Sequence, residues 1–177
     1  MAININLGRI RNAVGTTSNY ELTVEKLAIS EEVAITKPVQ ISAMVTNNGP
    51  ILELKGYIRT EITGKCSRCL EKVVIPVNAV IEEELVHVAD LRYLGDFTED
   101  ELAEKFLIFD HDLFDLTDLI RENIIFSLPY KILCKEKCRG LCIKCGQNLN
   151  EKECGCDTEE IDPRLAILAK LKGIEEV

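Results

Sequence analysis

The segment CKEKCRGLCIKC, residues 134–145, places four cysteines within twelve positions and dominates how this part of the chain can fold. Two further pairs complete the pattern, Cys66-Ser67-Arg68-Cys69 far upstream and Cys154-Gly155-Cys156 shortly downstream. A CxxC loop presents two sulfurs to one ion, and structural zinc sites commonly use four thiolates in a tetrahedron. We therefore predict two closed four-cysteine zinc sites. Their ligands are Cys66, Cys69, Cys134, Cys138, Cys142, Cys145, Cys154 and Cys156.

Loop length favours one division of these ligands. Only eight residues separate the two cysteine pairs within 142–156, so these four cysteines can form a local zinc knuckle. The pair in 134–138 then shares a second ion with the pair in 66–69, which joins distant parts of the chain. The alternative, in which the pairs in 134–138 and 142–145 change places, stays open.

The cellular compartment decides how paired cysteines are interpreted. The N-terminus has neither the basic start nor the apolar run of a secretory signal, and no stretch is apolar for long enough to span a bilayer. We therefore expect a cytoplasmic protein, in which such pairs are metal ligands before they are disulfides. Iron–sulfur ligation is a rival, because four thiolates suit that cluster too. Burial of some cysteines as small hydrophobic residues is another reading.

The first ninety residues have the pattern of antiparallel strands. Residues 39–45 alternate apolar and polar side chains, residues 47–50 supply an Asn-Asn-Gly-Pro turn, and residues 51–58 resume the alternation, which predicts a hairpin. A further run, residues 72–88, is rich in Val and Ile. The first CxxC pair is therefore expected on a turn between antiparallel strands. We predict an antiparallel β-sheet or partial barrel within residues 1–130.

A helix, a Cys-rich module and a second helix complete the predicted α+β fold. Residues 115–127 have helical periodicity, with Asp115 or Thr117 as the N-cap. Residues 131–160 are expected to form a zinc-binding Cys-rich module. A C-terminal helix is predicted at 161–177, where an Asp-Pro pair supplies an N-cap and the favoured first-turn proline.

The charge distribution limits the partners that the chain can attract. The formal net charge is −9, and residues 82–104 hold nine acidic side chains against one Arg, which we interpret as a solvated loop. Any RNA contact must therefore be local. Aromatic residues are only 5% of the chain, so a base-stacking platform across the protein is not expected.

Residues 131–152 are different, with six cations against two carboxylates. These cations either contact RNA or a partner, or they offset the negative charge of metal-bound thiolates. The candidate contact residues here and in the predicted C-terminal helix are Lys135, Lys137, Arg139, Lys144 and Arg164.

Several motifs resemble those of the YceD family. They are Cys66-Ser67-Arg68-Cys69-Leu70-Glu71, the acidic helix leading to Leu128-Pro129, the run from Cys138 to Asn150, Cys154-Gly155-Cys156, and Asp162-Pro163-Arg164-Leu165-Ala166. The resemblance spans nearly the whole chain, and its specific motifs lie in residues 66–71 and 128–171. Ile143 and Ile132 depart from the family pattern, which commonly has proline at these positions. Neither departure removes a ligand.

That resemblance implies a bacterial protein needed for accumulation of large-subunit (23S) ribosomal RNA. We therefore expect a non-enzymatic ribosome-biogenesis factor that binds large-subunit rRNA or a basic ribosomal protein, and no membrane or small-molecule substrate. The acidity of the chain favours the protein partner over naked RNA. His87 and His111 are isolated from the cysteines, so a catalytic zinc site is not expected. The alternative function is a zinc-thiolate redox sensor or redox-regulated chaperone, in which oxidation releases the metal.

Overall fold

Alternating apolar and polar residues in the middle of the chain build a five-stranded sheet, in the order β2-β3-β4-β5-β6. The computed structural model describes residues 2–30 and 33–156 and has an α+β fold. The strands are β1 (Asn4–Asn6), β2 (Thr17–Val24), β3 (Ala34–Asn47), β4 (Leu52–Lys65), β5 (Lys72–His87), β6 (Leu107–Phe109) and β7 (Leu113–Asp115). The α-helices are α1 (Gly8–Arg11), α2 (Glu99–Lys105) and α3 (Thr117–Phe126).

The sheet is antiparallel from β2 to β5, as predicted, and the short edge strand β6 runs parallel to β5. Strands β3, β4 and β5 contain 14, 14 and 16 residues. At about 3.3 Å per residue the sheet is therefore about 45 Å long. The predicted hairpin joins β3 to β4, and its turn is closed by a hydrogen bond from the Asn48 N–H to the Ile51 carbonyl at 3.0 Å. The first CxxC pair lies between β4 and β5.

Buried Asn47 ties that turn to the N-terminal helix. Its amide Nδ2 donates to the carbonyls of Ile10 at 2.7 Å and Arg11 at 3.0 Å, while its Oδ1 accepts from the Gly49 N–H at 2.7 Å. A polar side chain is stable in this interior position because each of its hydrogen-bonding groups is satisfied.

One face of the sheet forms the core. Within residues 39–47, 52–58 and 77–81 every second residue is buried, including Ile41, Leu54, Ile58 and Ile81, and Leu85 is buried as well. Helix α3 contributes Ile120 and Ile124 to the same cluster, together with Leu116 just before the helix. The opposite face carries exposed side chains, and we call it the outer face. Its exposed residues are Gln40, Ser42 and Met44 on β3, Lys55, Tyr57 and Arg59 on β4, and Asn78, Val80 and Glu82 on β5; Glu53 and Glu84 on the same face are half-buried.

Helix α3 lies within the segment predicted to be helical, but the predicted N-caps, Asp115 and Thr117, each miss the cap position by one residue. The Asp115 carboxylate accepts from the Thr117 N–H at 2.8 Å and from the Ile3 N–H at 3.3 Å. The backbone cap position itself is Leu116, whose side chain has no capping group. The Asp115 carboxylate therefore fastens β1 to the start of α3, which the sequence pattern did not indicate.

The prediction that residues 82–104 form a loop is wrong. The stretch contains the end of β5, a 3-10 helix at Val88–Tyr93 and most of α2. Helix α2 forms because Thr98 and Glu101 make a capping box, in which each side chain bonds the other residue's backbone N–H. The acidic side chains of both helices nevertheless face solvent, since neither helix contains a buried residue.

Beyond the predicted helix at α3, the structure thus has two further short α-helices, α1 and α2. Strands β1 and β7 pair in a separate two-stranded sheet. The predicted C-terminal helix at 161–177 lies outside the described residues. None of the helices in the described ranges is long and apolar enough to cross a membrane.

Candidate metal centres

The tip of the β4–β5 hairpin meets the segment after α3 at four thiols, which we call the first cluster. Cys66 and Cys69 come from the tip, and Cys134 and Cys138 from the later segment. The Sγ atoms of Cys66 and Cys138 are 3.8 Å apart, those of Cys69 and Cys134 are 3.5 Å apart, and all four lie within 4.8 Å of one another. Thiolates bound at about 2.3 Å to a tetrahedral ion would be about 3.8 Å apart. The spacing therefore fits a metal ion.

The hairpin tip bends so that both of its sulfurs point inward. The Leu70 N–H donates to the Cys66 carbonyl at 3.0 Å, and the Cys66 N–H donates to the Glu71 carbonyl at 2.8 Å. Leu70 adopts a φ of 62°, a left-handed conformation that is unfavourable for a residue with a Cβ. The CxxC turn thus overrides the local preference of the sequence.

Hydrogen bonds hold the later segment against the hairpin tip. The Ser67 N–H donates to the Ile132 carbonyl at 2.8 Å, and the Leu141 N–H donates to the Arg68 carbonyl at 3.2 Å. The Arg68 guanidinium donates to the Cys138 carbonyl at 2.8 Å. The two halves of the first cluster are therefore aligned by contacts that do not involve the thiols.

The remaining four cysteines form a second cluster, Cys142, Cys145, Cys154 and Cys156, also with every Sγ within 4.8 Å of the others. Its turn repeats the geometry of the hairpin tip, because the Gly146 N–H donates to the Cys142 carbonyl at 2.9 Å and Gly146 has a φ of 74°. Cys142 is buried, whereas Cys145 is exposed. This grouping is the one that loop length favours, and the exchanged pairing is not adopted.

Two asparagine amides connect the clusters. Asn150 Nδ2 lies 3.2 Å from the Cys138 Sγ, and Asn150 Oδ1 accepts from the Arg139 N–H at 2.9 Å. Asn148 Nδ2 donates to Glu71 Oε1 at 2.7 Å. Groups of this kind orient metal ligands. Sequence reasoning missed these roles, although the position of both amides in the loop between the pairs of the second cluster was a usable signal.

Backbone N–H groups make the thiols unequal in acidity. Although burial opposes ionisation of Cys66, backbone N–H groups of its own CxxC loop lower the pKa of that thiol to about 6. Backbone N–H groups of the second loop likewise lower the pKa of Cys142 to about 6. The neighbouring thiols of Cys145 and Cys154 raise the pKa of Cys156 to about 12. Ionising a whole cluster therefore needs the compensating charge of a bound cation.

The donor set indicates which metals suit these clusters. Soft thiolate ligands select zinc, Cu(I) or iron–sulfur clusters over the hard cations that prefer oxygen. Four thiols already complete a tetrahedron, so neither cluster leaves a position for a substrate. The two clusters are thus compatible with metal binding.

The other predicted site residues lie around the clusters or far from them. Lys135, Lys137 and Lys144 are exposed in the Cys-rich segment. Arg139 is also exposed and its guanidinium pairs with Glu153 at 2.7 Å. Arg164 lies outside the described residues.

Both histidines are away from the cysteine clusters. His87 caps the 3-10 helix by accepting the Ala89 N–H at 3.0 Å, and its ring packs edge-on against Phe109. His111 is exposed beside Asp110. Neither imidazole belongs to either group of candidate metal ligands.

Comparison with known proteins gives consistent matches. The profile of the family described as "Large ribosomal RNA subunit accumulation protein YceD" matches residues 54–172. The chain is 30% identical to "Large ribosomal RNA subunit accumulation protein YCED homolog 1, chloroplastic" of Arabidopsis thaliana, over 76% of this chain and 49% of that protein. It is 31% identical to an uncharacterized protein of Mycobacterium tuberculosis (strain ATCC 25618 / H37Rv), over 68% of this chain and 55% of that protein.

A more distant relative is similar in length. The uncharacterized protein YlbN of Bacillus subtilis (strain 168) is 23% identical, over 83% of this chain and 81% of that protein. The chain spans only about half the length of the plant and mycobacterial relatives. No solved structure matches it.

Proposed function

The chain belongs to the YceD family, and from that premise we propose that it is a non-enzymatic ribosome-biogenesis factor supporting accumulation or processing of large-subunit (23S) rRNA. The observation that carries the proposal is the family match over residues 54–172, which contains both cysteine clusters and nearly all of the β4–β5 hairpin. The Arabidopsis relative has large-subunit rRNA accumulation in its name.

Zinc is the ion that we propose for both clusters. All-thiolate tetrahedral sites are a common form of structural zinc, and separated short-spaced cysteine pairs are their usual sequence pattern. In the first cluster the ion would hold the hairpin tip to the segment after α3. In the second it would fold the loop that carries Asn148 and Asn150. The metal would therefore shape a binding surface, and this is why we propose a role without catalysis.

The proposed partner is large-subunit rRNA, a basic ribosomal protein, or both. Lys135, Lys137, Arg139 and Lys144 are candidate contacts, because they are exposed on the Cys-rich segment. Arg164 is proposed with them from its sequence alone. The proposed place of action is the cytoplasm, where bacterial ribosomes are assembled and where thiols stay reduced.

Depletion in growing bacterial cells tests the function. The level of mature 23S rRNA relative to 16S rRNA should fall, precursors should accumulate, and expression of the intact chain should restore the ratio. Crosslinking in cells then separates the partners. Recovery of neither 23S rRNA nor any ribosomal protein would refute the proposal.

One observation favours the second candidate function, a redox sensor or chaperone. Cys145 of the second cluster is exposed, so an oxidant can reach it. Peroxide would oxidise two thiolates to a disulfide, would itself be reduced to water, and would release the zinc ion. Titration with peroxide, followed by zinc release and holdase activity, tests this candidate. Slow release without any gain of activity would eliminate it.

A further inference from the structure

A tyrosine stands exposed in the middle of the outer face, among polar side chains. Tyr57 is 61% exposed, and the strand register places Ser42 and Val80 on either side of it. Arg59 lies two residues along β4, about 7 Å away on the same face, and is flanked by Gln40 and Asn78. We call these six exposed residues the Tyr57 platform.

The platform includes a shallow cavity beside the ring. It has a volume of about 300 Å³ and is lined in part by Gln40, Ser42, Tyr57, Arg59 and Glu21. The Glu21 carboxylate accepts from the Ser42 hydroxyl at 2.6 Å and keeps further lone pairs for an amino or imino hydrogen. Donors and acceptors thus surround a flat aromatic surface, as recognition of an unpaired base requires.

Cations without an ion-pair partner continue from the platform to the hairpin tip. Arg59, Lys65 and Lys72 form no salt bridge with any residue that the structure describes. Lys65 and Lys72 are directly opposite each other in the β4–β5 register, an arrangement of like charges that destabilises a sheet. Lys65 is about 26 Å from Tyr57 along the strand. Glu61 lies between Arg59 and Lys65, but its carboxylate is paired with Lys37 at 2.7 Å, so these three cations remain complementary to a polyanion.

A group of acidic residues lies toward the other end of the same face, whereas Glu21 and Glu61, which lie near the platform, bond Ser42 and Lys37. Glu53 is opposite Glu84, and Lys55 is both opposite Glu82 and paired with Glu53 at 2.6 Å. The acidic 3-10 helix and α2 follow β5 beyond this end. This acidic group is therefore separated along the sheet from Arg59, Lys65 and Lys72.

We propose that the Tyr57 platform binds single-stranded large-subunit rRNA. A base stacks on the Tyr57 ring, Arg59 and the amides of Gln40 and Asn78 bond its edge or the adjoining phosphate, and the backbone runs toward Lys65 and Lys72. The inference rests on the proposed function and names the surface and the state of the RNA that it recognises. A protein partner suits the platform less well, because its apolar centre consists of little more than the Tyr57 ring and Val80.

The test uses two probes, a fluorescein-labelled 12-nucleotide oligouridylate in fluorescence anisotropy and fragmented 23S rRNA in filter retention. Tyr57→Leu keeps an apolar side chain and removes the ring. We expect about tenfold weaker binding of both probes, the order of loss for one stacked base. Tyr93→Leu is the matched control, since the Tyr93 ring is 62% exposed but lies in the 3-10 helix at the acidic end. It should leave both affinities unchanged.

A second pair of variants isolates the charge. Arg59→Gln and Lys55→Gln each remove one cation from the outer face of β4. Arg59→Gln should weaken binding and reduce the slope of log affinity against log salt by about 1, as for one lost phosphate contact. Lys55→Gln should leave the slope unchanged, because Glu53 already neutralises that amine. Melting curves and zinc content should match the parent in all four variants, since the altered side chains are exposed.

Absence of binding to both probes would overturn the inference, as would equal losses in Tyr57→Leu and Tyr93→Leu. If Tyr57→Leu kept its RNA affinity but lost binding to a purified basic ribosomal protein, the platform would belong to a protein partner instead. The depletion experiment gives an independent result. A fall in 23S rRNA on depletion, with unaltered RNA affinity in Tyr57→Leu, would refute the platform alone; no change in 23S rRNA would refute the proposed function.

Discussion

Replacing Cys66 by serine removes one ligand where the β4–β5 hairpin is joined to the segment after α3. We expect the zinc content to fall from two ions per chain to one, because the second cluster keeps its own four ligands. Cys142→Ser is the matched perturbation and should also leave one ion. Both cysteines are almost fully buried, at 0% and 4% exposure. The two variants therefore differ mainly in which segments of the chain lose their connection through the ion.

The length of chain that each ion closes sets the size of the effect. The first ion connects Cys69 to Cys134, a loop of 66 residues, and a cross-link of that length stabilises the fold by about 4 kcal/mol in the chain-entropy model. The second ion closes only the ten residues from Cys145 to Cys154, worth about 3 kcal/mol within that loop. At about 2–4 °C per kcal/mol for a chain of this size, Cys66→Ser should lower the melting temperature of the sheet by roughly 8–16 °C. Cys142→Ser should change it little, because its loop lies outside the sheet.

Mass spectrometry of the bound metal and far-UV circular dichroism measure the two quantities on the same samples. Loss of both ions from either variant would show that the clusters share metal and would refute the two-site arrangement. Equal falls in melting temperature would refute the claim that only the first ion joins distant elements. If the purified chain absorbed visible light, the assignment of zinc would be wrong and an iron–sulfur cluster would take its place.

Four substitutions test three local features of the fold by urea unfolding. Leu70→Asn should stabilise the chain by about 1 kcal/mol, because Asn tolerates the left-handed backbone better, whereas Gly146→Ala should destabilise it by a similar amount; shifts of the same sign would contradict this. Asp115→Ala should cost about 1 kcal/mol at pH 7 through loss of the hydrogen bonds from the Thr117 and Ile3 N–H groups. Because hydrogen bonds from Thr117 lower the pKa of Asp115 below its usual 3.8, that contribution is complete above the unfolded-state pKa and declines as the pH falls through the folded-state value; a cost that grew in acid would contradict it. Asn47→Leu should cost about 2–3 kcal/mol by leaving buried backbone groups without partners, and a cost below 1 kcal/mol would contradict that account.

Much of the fold and of the cysteine grouping could be predicted from local sequence patterns. The alternation in residues 39–45 and 51–58 specifies which side of each strand is buried, so the hairpin and its inner face follow from it. The grouping of the cysteines follows from loop length, because closing eight residues costs little entropy. Glycine readily adopts a left-handed backbone, and Gly146, which follows Cys145, has a φ of 74°.

What the sequence did not reveal depends on distant contacts. Strands β1 and β7 have three residues each and lie more than a hundred positions apart, so neither has a detectable period. Leu70 adopts the same left-handed conformation as Gly146 because the CxxC turn requires it, although the propensity of leucine argues against it. The prediction of a solvated loop at residues 82–104 was wrong because it relied on the density of acidic residues and not on Thr98, which begins a capping box. Tyr57 is one aromatic residue in an ordinary strand pattern, and only the register shows what surrounds it.

The long loop closed by the first cluster also has a consequence for synthesis of the chain. The hairpin tip with Cys66 and Cys69 leaves the ribosome well before Cys138, which is 69 positions later. At about 5–20 residues per second, the two thiols wait roughly 3–14 s for their partners. During that interval the nascent chain would carry half of the proposed metal site, open to other ligands and to oxidants. With the proposed zinc ion, metal capture at the first cluster would therefore be a late event, which can occur only after α3 has been made.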